Sequence, residues 1–191
     1  MRAILTAAAV SLVLAACAST LAPTRRPASA AQPRIPTTST AKQAVANLAS
    51  ASGSLVSGKL TLVPTADGVH VTDTVGGLPP NGVHGFHVHE TGDCSAADAS
   101  SAGAHFNPFG APHGKVGGGG HHAGDADNIT ANAGGVATVN AHLRNVTLGG
   151  GAINDVAGRA VVVHAAPDDY TRQPSGDAGA RLACGLIKLR M

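Results

Sequence analysis

Residues 85–90 read GFHVHE and place two histidines two positions apart, with a valine between them. In a β-strand, successive side chains point to opposite faces, so His87 and His89 share one face while Phe86 and Val88 share the other. Phe86 and Val88 can therefore enter an apolar core while both imidazole rings face outward. Taken alone, the pattern is typical both of solvated surface histidines and of half of a metal site.

Short apolar segments with period-two alternation flank this stretch on both sides. Turn residues separate them, as at Asp67-Gly68 and in the run PPNG at residues 79–82. Several short strands joined by such turns, with no convincing helix, predict an all-β sandwich or barrel. The predicted strands fall within residues 53–64, 69–75, 134–148, 158–165 and 180–189.

Residues 91–128 differ from the predicted strands, and we call them the 91–128 segment. They are rich in Gly, Ala and Pro, they lack periodicity, and they hold four of the ten histidines of the chain. A long loop of this kind inside a compact domain is usually either functional or disordered.

The N-terminus has the pattern of a targeting segment. Arg2 precedes an apolar run over residues 3–16, which is too short to span a bilayer as a stable helix, and Cys17 follows. The run LAAC at residues 14–17 resembles a bacterial lipobox, which implies cleavage before Cys17, lipid on Cys17 and attachment to a bacterial cell membrane. An ordinary signal peptide, which would release a periplasmic protein, is the other interpretation. Both place the protein outside the cytoplasm.

Composition changes again between the targeting segment and the predicted strands. Residues 17–50 are dominated by Pro, Ser, Thr and Ala, with little to bury, so we predict a disordered tether and a folded domain at residues 51–191. The tether has four cations and no acid, whereas residues 51–191 have eight Lys or Arg and eleven Asp or Glu, a net charge of −3. These cations are too sparse for a nucleic-acid-binding arm, and the acidic domain repels phosphate. No nucleic-acid partner is expected.

The cysteine count depends on Cys17. If Cys17 carries lipid, Cys94 and Cys184 remain as a pair in an oxidising compartment, where disulfides persist. They would either form one disulfide, closing a loop of about 90 residues, or stay as two free thiols.

Further candidate ligands accompany His87 and His89. Imidazole groups suit copper and zinc, and a carboxylate in a mixed set suits zinc. His121 adjoins His122, but the interval to Asp125 favours His122 as the ligand. The additional candidates are His105, His113, His122, Asp125 and His164.

The candidate ligands lie within six ordered motifs: HGFHVHETGDC (84–94), SAGAHFNPFG (101–110), PHGK (112–115), HAGDADNITA (122–131), VVVHAAPDD (161–169) and GARLACGLIKL (179–189). Together these motifs closely resemble the copper/zinc superoxide dismutase family. With the strands that precede them, they extend the resemblance over nearly all of residues 53–190. It implies a flattened eight-stranded Greek-key β-barrel with long loops.

The resemblance also implies a role for individual residues. His105 would bridge the two metals as an imidazolate, and Asp168 would join His87 to His113 by hydrogen bonds. His84 would lie near the copper-binding strand, and Cys94 would form a disulfide with Cys184. The implied copper ligands are His87, His89, His105 and His164, and the implied zinc ligands are His105, His113, His122 and Asp125.

The implied activity is the conversion of superoxide to dioxygen and hydrogen peroxide by copper redox cycling, which would protect the cell envelope. His105 and Arg181 would be the catalytic residues, His105 as proton donor and Arg181 as the docking site for the anion. Lys115 would help if it lies near, since Arg172 is the only cation in the run before Arg181. Both a monomer and a homodimer are compatible with the sequence.

Two other functions are compatible with some of these residues. A dismutase-like domain could bind or store copper without catalysis, although such domains tend to lack one of the groups present here. A zinc hydrolase needs an open zinc position, and a set of three histidines and one aspartate is closed.

Overall fold

The computed structural model describes residues 34–190, and almost all of its regular structure is β-strand. The predicted targeting segment, Cys17 and the first part of the predicted tether lie outside the described residues. One short 3-10 helix, Ser100–Ala102, lies in the 91–128 segment. The strands are β1 (Ala44–Ser50), β2 (Ser57–Pro64), β3 (Gly68–Gly76), β4 (Val83–His84), β5 (Phe86–His89), β6 (Ile129–Thr130), β7 (Ala137–Arg144), β8 (Ala160–His164) and β9 (Arg181–Leu189).

Seven strands form one sheet in the order β5-β8-β9-β1-β2-β3-β7, and β4 pairs with β6 in a second, two-stranded sheet. Every pair of strands is antiparallel. The chain leaves β3, forms β4, β5 and β6 elsewhere, and returns to pair β7 with β3. This long return connection is the Greek-key feature. Only Gly85 separates β4 from β5, so the two can be counted as one interrupted strand. The barrel then has eight strands, as predicted from the sequence.

The side-chain alternation of the strands builds the core. In β2 and β3, Leu60, Leu62, Val69 and Val71 are fully buried. The three consecutive valines of β8 are also buried, because each face of this strand is covered: Val161 and Val163 enter the main core, while Val162 packs in a smaller cluster. A strand covered on both faces reads as a continuous apolar run.

The predicted tether extended to Ser50, and this part of the prediction is wrong. Residues 44–50 form β1, a central strand that pairs with both β2 and β9. Ala44, Ala46 and Leu48 are buried on its inner side. Small alanine side chains carry little hydrophobic signal, yet they fit where neighbouring strands approach closely. The folded domain therefore begins before residue 51.

The segment before β1 also contacts the domain. The backbone N–H groups of Thr40 and Ala41 both donate to the Leu148 carbonyl, at 3.1 and 3.0 Å. The Asn154 side-chain amide donates to the Pro36 carbonyl at 2.8 Å. Residues 36–41 are thus held against the loop that follows β7. No helix in residues 34–190 has the length and apolar character needed to cross a membrane.

Candidate metal centre

His87 and His89 project from β5 on one side, but their rings do not face solvent. Both are buried, at 0% and 1% exposure. The 91–128 segment folds over them, because His87 bridges to Asp125 and His89 to His105 through backbone pairing. The expectation that both rings face outward is therefore wrong, since the loop that follows β5 covers that face of the strand.

Four histidines converge on one point, which we call the first cluster. One ring nitrogen from each lies within 4.8 Å of the others, and all four residues are buried. The remaining nitrogens have partners on the outside: His89 Nδ1 contacts the Gly103 carbonyl at 2.9 Å, and His164 Nδ1 contacts the Gly179 carbonyl at 3.2 Å. These contacts turn both Nε2 atoms inward, 3.3 Å apart. The first cluster consists of His87, His89, His105 and His164.

Three histidines and one carboxylate form the second cluster, which shares His105 with the first. Their ligand atoms also lie within 4.8 Å of one another. The carboxylate oxygens of Asp125 lie 2.9 Å from His105 Nδ1, 3.0 Å from His113 Nδ1 and 3.3 Å from His122 Nδ1. The backbone N–H groups of Gly114 and His122 donate to Asp125 Oδ2 and fix its position. The second cluster consists of His105, His113, His122 and Asp125.

Unpaired ring nitrogens show that the two clusters fit metal ions. Among the described residues, five buried ring nitrogens have no hydrogen-bond partner, and four of them belong to the clusters: His87 Nδ1, His105 Nε2, His113 Nδ1 and His122 Nδ1; the fifth is His84 Nε2. Such atoms are costly to bury unless a partner is supplied. A four-imidazole set suits copper, and three imidazoles with one carboxylate suit zinc.

The protonation states also suit metal binding. Burial lowers the pKa of His89 to about 2, of His105 to about 4 and of His164 to about 3. Burial alone would raise the pKa of Asp125, but hydrogen bonds from the neighbouring imidazoles outweigh it and hold that pKa well below its usual range. At neutral pH these three histidines are neutral and Asp125 is ionised, which is the state that a metal requires. His113 differs, because burial alone would lower its pKa, but hydrogen bonds to Asp125 and Asp168 outweigh burial and raise that pKa to about 9, so a metal bound there must displace a proton.

Comparison with known proteins identifies the family of this chain. Residues 56–187 match the family model of copper/zinc superoxide dismutase (SODC). The chain belongs to the copper/zinc superoxide dismutase family. Superoxide dismutase (Cu-Zn) 2 of Aquifex aeolicus (strain VF5) is 41% identical over 149 residues, covering 76% of this chain and 86% of the relative. Superoxide dismutase (Cu-Zn) 1 of the same organism is 42% identical over 134 residues, covering 69% and 79%.

Solved structures agree with this family and with the fold. A crystal structure of a double mutant of a SOD-like protein from Bacillus subtilis superposes with a TM-score of 0.67 at 34% identity, covering 76% of this chain and 97% of that one. The clock protein EA4 superposes with a TM-score of 0.70 at 35% identity, covering 80% and 98%. The predicted all-β, Greek-key barrel is confirmed. Family membership also implies copper and zinc as the metals.

Asp168 connects the two clusters of this dismutase-family site. Its Oδ2 lies 2.9 Å from His87 Nε2, and its Oδ1 lies 2.9 Å from His113 Nε2. Both rings are thereby oriented with Nδ1 toward the metal positions, a role that outer residues of metal sites commonly have. His84 is buried as well, and its Nδ1 lies 2.9 Å from the carbonyl oxygen of His164.

Two amide side chains support this arrangement, and sequence reasoning missed both. Asn128 donates from Nδ2 to the Asp168 carbonyl and accepts the Asp168 N–H at Oδ1, both at 2.8 Å. Gln173 makes a similar pair of bonds to the backbone of His113. Asn128 lies inside the motif HAGDADNITA, so its position was visible in the sequence, but no local pattern indicates its partner 40 residues away.

An open cavity of about 380 Å³ leads to the clusters, and Arg181 forms part of its wall. The guanidinium donates to the carbonyl oxygens of Ala99 and Gly103, both at 2.6 Å, which fixes its orientation. Glu90, on the same wall, is the acidic group there. The other lining residues are Ala104, His105, Asn107, His122, Pro174 and Ser175.

The other cations considered for steering lie elsewhere. Arg172 pairs with Asp169 and Asp177 in the loop of residues 165–180, which we call the 165–180 loop. The Lys115 ammonium lies 5.4 Å from the centroid of the Tyr170 ring and does not line the cavity. Among the residues that the structure describes, Arg181 is therefore the one cationic side chain that lines the cavity.

The predicted disulfide is confirmed. Cys94 and Cys184 are bonded and join the 91–128 segment to β9, across a sequence separation of 90 residues. The bond holds the chain shortly before Ala99 and Gly103, whose carbonyls accept the hydrogen bonds of Arg181. The disulfide therefore helps to hold the 91–128 segment over β5, and it helps to hold Arg181 in the cavity wall.

Proposed function

We propose that this chain is a superoxide dismutase that converts superoxide to dioxygen and hydrogen peroxide, with copper in the first cluster and zinc in the second. The observation that carries this function is the shared ring of His105, which belongs to both clusters. Arg181 borders the same cavity as His105 and supplies a fixed positive charge. Family membership supports the same activity.

The residues around the cavity have distinct roles in this chemistry. Bound copper would supply the one-electron oxidation and reduction of two superoxide ions. Arg181 attracts the small anion into the cavity and orients it, which matters because the domain as a whole is acidic. The Nε2 atom of His105 faces the first cluster and has no protein partner, so it can hold a proton and release it to the peroxide product.

Turnover distinguishes this function from copper storage. The purified chain, loaded with one copper and one zinc, should consume many superoxide ions per copper and release one dioxygen and one hydrogen peroxide for every two consumed. A storage protein would consume about one superoxide per copper and then stop. Because superoxide also disproportionates spontaneously to the same products, the measurement is the rate of superoxide loss and product release above that in buffer alone, at copper concentrations far below that of superoxide.

Arg181→Ala should lower the second-order rate constant several-fold and flatten its dependence on ionic strength. The reason is that the guanidinium is the positive charge of the cavity wall, and steering of this kind is screened by salt. The measurement is the rate of superoxide decay from low to high salt. Arg172→Ala is the matched control, because it removes the same charge from an exposed, ion-paired position. Equal rates and salt slopes for wild type and Arg181→Ala would contradict the role of Arg181.

We also propose that the chain acts outside the cytoplasm, attached to a bacterial cell membrane through lipid on Cys17, and protects the cell envelope from superoxide. The support is the N-terminal sequence, with Arg2, an apolar run and the LAAC stretch before Cys17. A bacterium expressing the full chain should attach labelled palmitate to it, and Cys17→Ser should remove the label. An unlabelled wild-type chain would contradict the anchor.

Sedimentation velocity would distinguish a monomer from the homodimer, the two assembly states compatible with the sequence.

A further inference from the structure

Gln173 binds the backbone of His113 with both ends of its side-chain amide. Its Oε1 accepts the His113 N–H at 2.8 Å, and its Nε2 donates to the His113 carbonyl at 2.9 Å. The two residues are 60 positions apart in sequence. His113 lies outside the strands, and among the described residues its backbone N–H and carbonyl have no other partner. The side-chain amide of Gln173 thus makes the two backbone hydrogen bonds that a neighbouring strand would make in a sheet.

These two hydrogen bonds hold the backbone of His113 in place. Its ring already contacts Asp168 through Nε2 and faces Asp125 through Nδ1. With Gln173, the ring Nε2 and both backbone polar groups of this residue have hydrogen-bond partners, and Nδ1, which faces Asp125, is the ring atom left for a metal. Hydrogen bonds around a metal ligand help to keep its ring directed toward the metal, and bonds that hold its backbone in place contribute to this.

Gln173 directly precedes two residues of the cavity wall. Pro174 and Ser175, the next two residues, line the cavity beside His105 and Arg181. Gly176 follows and packs so closely on Asp168 that an added Cβ would lie 1.8 Å from the Asp168 carboxylate. A displacement of His113 would therefore be transmitted through Gln173 to Pro174 and Ser175 in the cavity wall.

We infer that Gln173 is a positioning residue that joins metal retention in the second cluster to the wall of the substrate cavity. The inference rests on the proposed assignment of zinc to the second cluster. Loss of the two bonds frees the backbone of one ligand without removing any ligand atom. Zinc should therefore still bind, but it should leave faster, and the 165–180 loop should lose one of its attachments to the 91–128 segment, while the bonds of Asp168 to His113 and Asn128 remain.

The expected effect is an increase of about tenfold in the rate of zinc release, at the lower end of what loss of an outer partner costs in metal affinity. Gln173→Ala removes both bonds. Gln173→Glu preserves the shape and the acceptor for the His113 N–H, but at neutral pH its carboxylate cannot donate to the carbonyl. Both variants should release zinc faster than wild type. Cobalt bound in the second cluster should show shifted visible absorption bands in both.

Asn132→Ala is the matched control. Asn132 Oδ1 also accepts two backbone N–H groups, from Gly134 and Val136, but it does so in the hairpin before β7 and touches neither cluster. Zinc release into a chromophoric chelator is measured for the full chain and each variant, with thermal unfolding to confirm folding. Because Gln173→Glu is isosteric, it tests the inference even if Gln173→Ala does not fold.

The outcomes are distinct. Faster zinc release in both Gln173 variants and an unchanged Asn132→Ala rate support the inference. Equal release from wild type and the Gln173 variants overturns it while leaving the proposed function intact, as does a similar acceleration in Asn132→Ala. A wild-type chain that binds no zinc in the second cluster overturns the proposed function and, with it, this inference.

Discussion

Removing the disulfide by the double substitution Cys94→Ser and Cys184→Ser is expected to cost the metal-free chain about 4–5 kcal/mol of unfolding free energy. The chain-entropy model gives this magnitude for a closed loop of about 90 residues, because the cross-link restricts the unfolded chain. Cys184 is also buried in the smaller apolar cluster, so a polar hydroxyl at this position adds to the loss. Denaturant unfolding of both forms measures the difference.

Wild type unfolded with and without a thiol reductant is the control for this double substitution. Reduction should produce most of the same loss without changing a side chain. The reduced protein should also respond less steeply to salt in its reaction with superoxide, since the carbonyls that orient Arg181 lie in the segment that the disulfide anchors. A change in unfolding free energy below about 1 kcal/mol in both experiments would contradict the stabilising role assigned to this bond.

Asp168→Asn is expected to weaken zinc binding by about 10- to 100-fold, the usual cost of losing an outer partner of a metal ligand. Burial alone would raise the pKa of Asp168, but hydrogen bonds from His113 and His87 outweigh it and lower that pKa, so the group is a carboxylate at neutral pH. It accepts from one ring of each cluster. An asparagine has one acceptor oxygen, so at least one of the two rings loses its partner and its fixed direction.

Asp177→Asn is the matched control for Asp168→Asn. Asp177 lies in the same 165–180 loop and has the same charge, but it is exposed, and within residues 34–190 its one ion pair is with Arg172. Its backbone has a positive φ of 54°, a conformation that asparagine tolerates well. Zinc affinity, measured by competition with a chelator, should be unchanged in this variant. If both variants bind zinc as tightly as wild type, Asp168 does not orient the ligands.

Most of the strands could be predicted from the sequence because their alternation is local. The segments around β2, β3, β7, β8 and β9 each show it within a few residues. Strand β1 could not be predicted in this way, because two of its four buried side chains are alanine. Its place in the sheet depends on pairing with β9, more than 130 residues later. A low-hydrophobicity strand of this kind resembles a linker until its neighbours are known.

The candidate ligands were visible as ordered motifs, but their surroundings were not. The sequence does not indicate that the 91–128 segment buries His87 and His89, because that depends on where a loop without periodicity folds. The partners of Asn128 and Gln173 are 40 and 60 residues away, so no local pattern indicates them. The same applies to Lys115, whose position beside Tyr170 depends on the packing of two loops.

The most direct test of the proposed dismutase function is fast spectrophotometry of superoxide decay in the presence of the purified chain loaded with copper and zinc. The proposed site predicts rapid catalytic decay at copper concentrations far below that of superoxide, with loss of this activity when cyanide is added. Full loading of both metals with decay no faster than in buffer alone would contradict it. The chain would then be a metal-binding protein that has the dismutase fold and ligands without the activity.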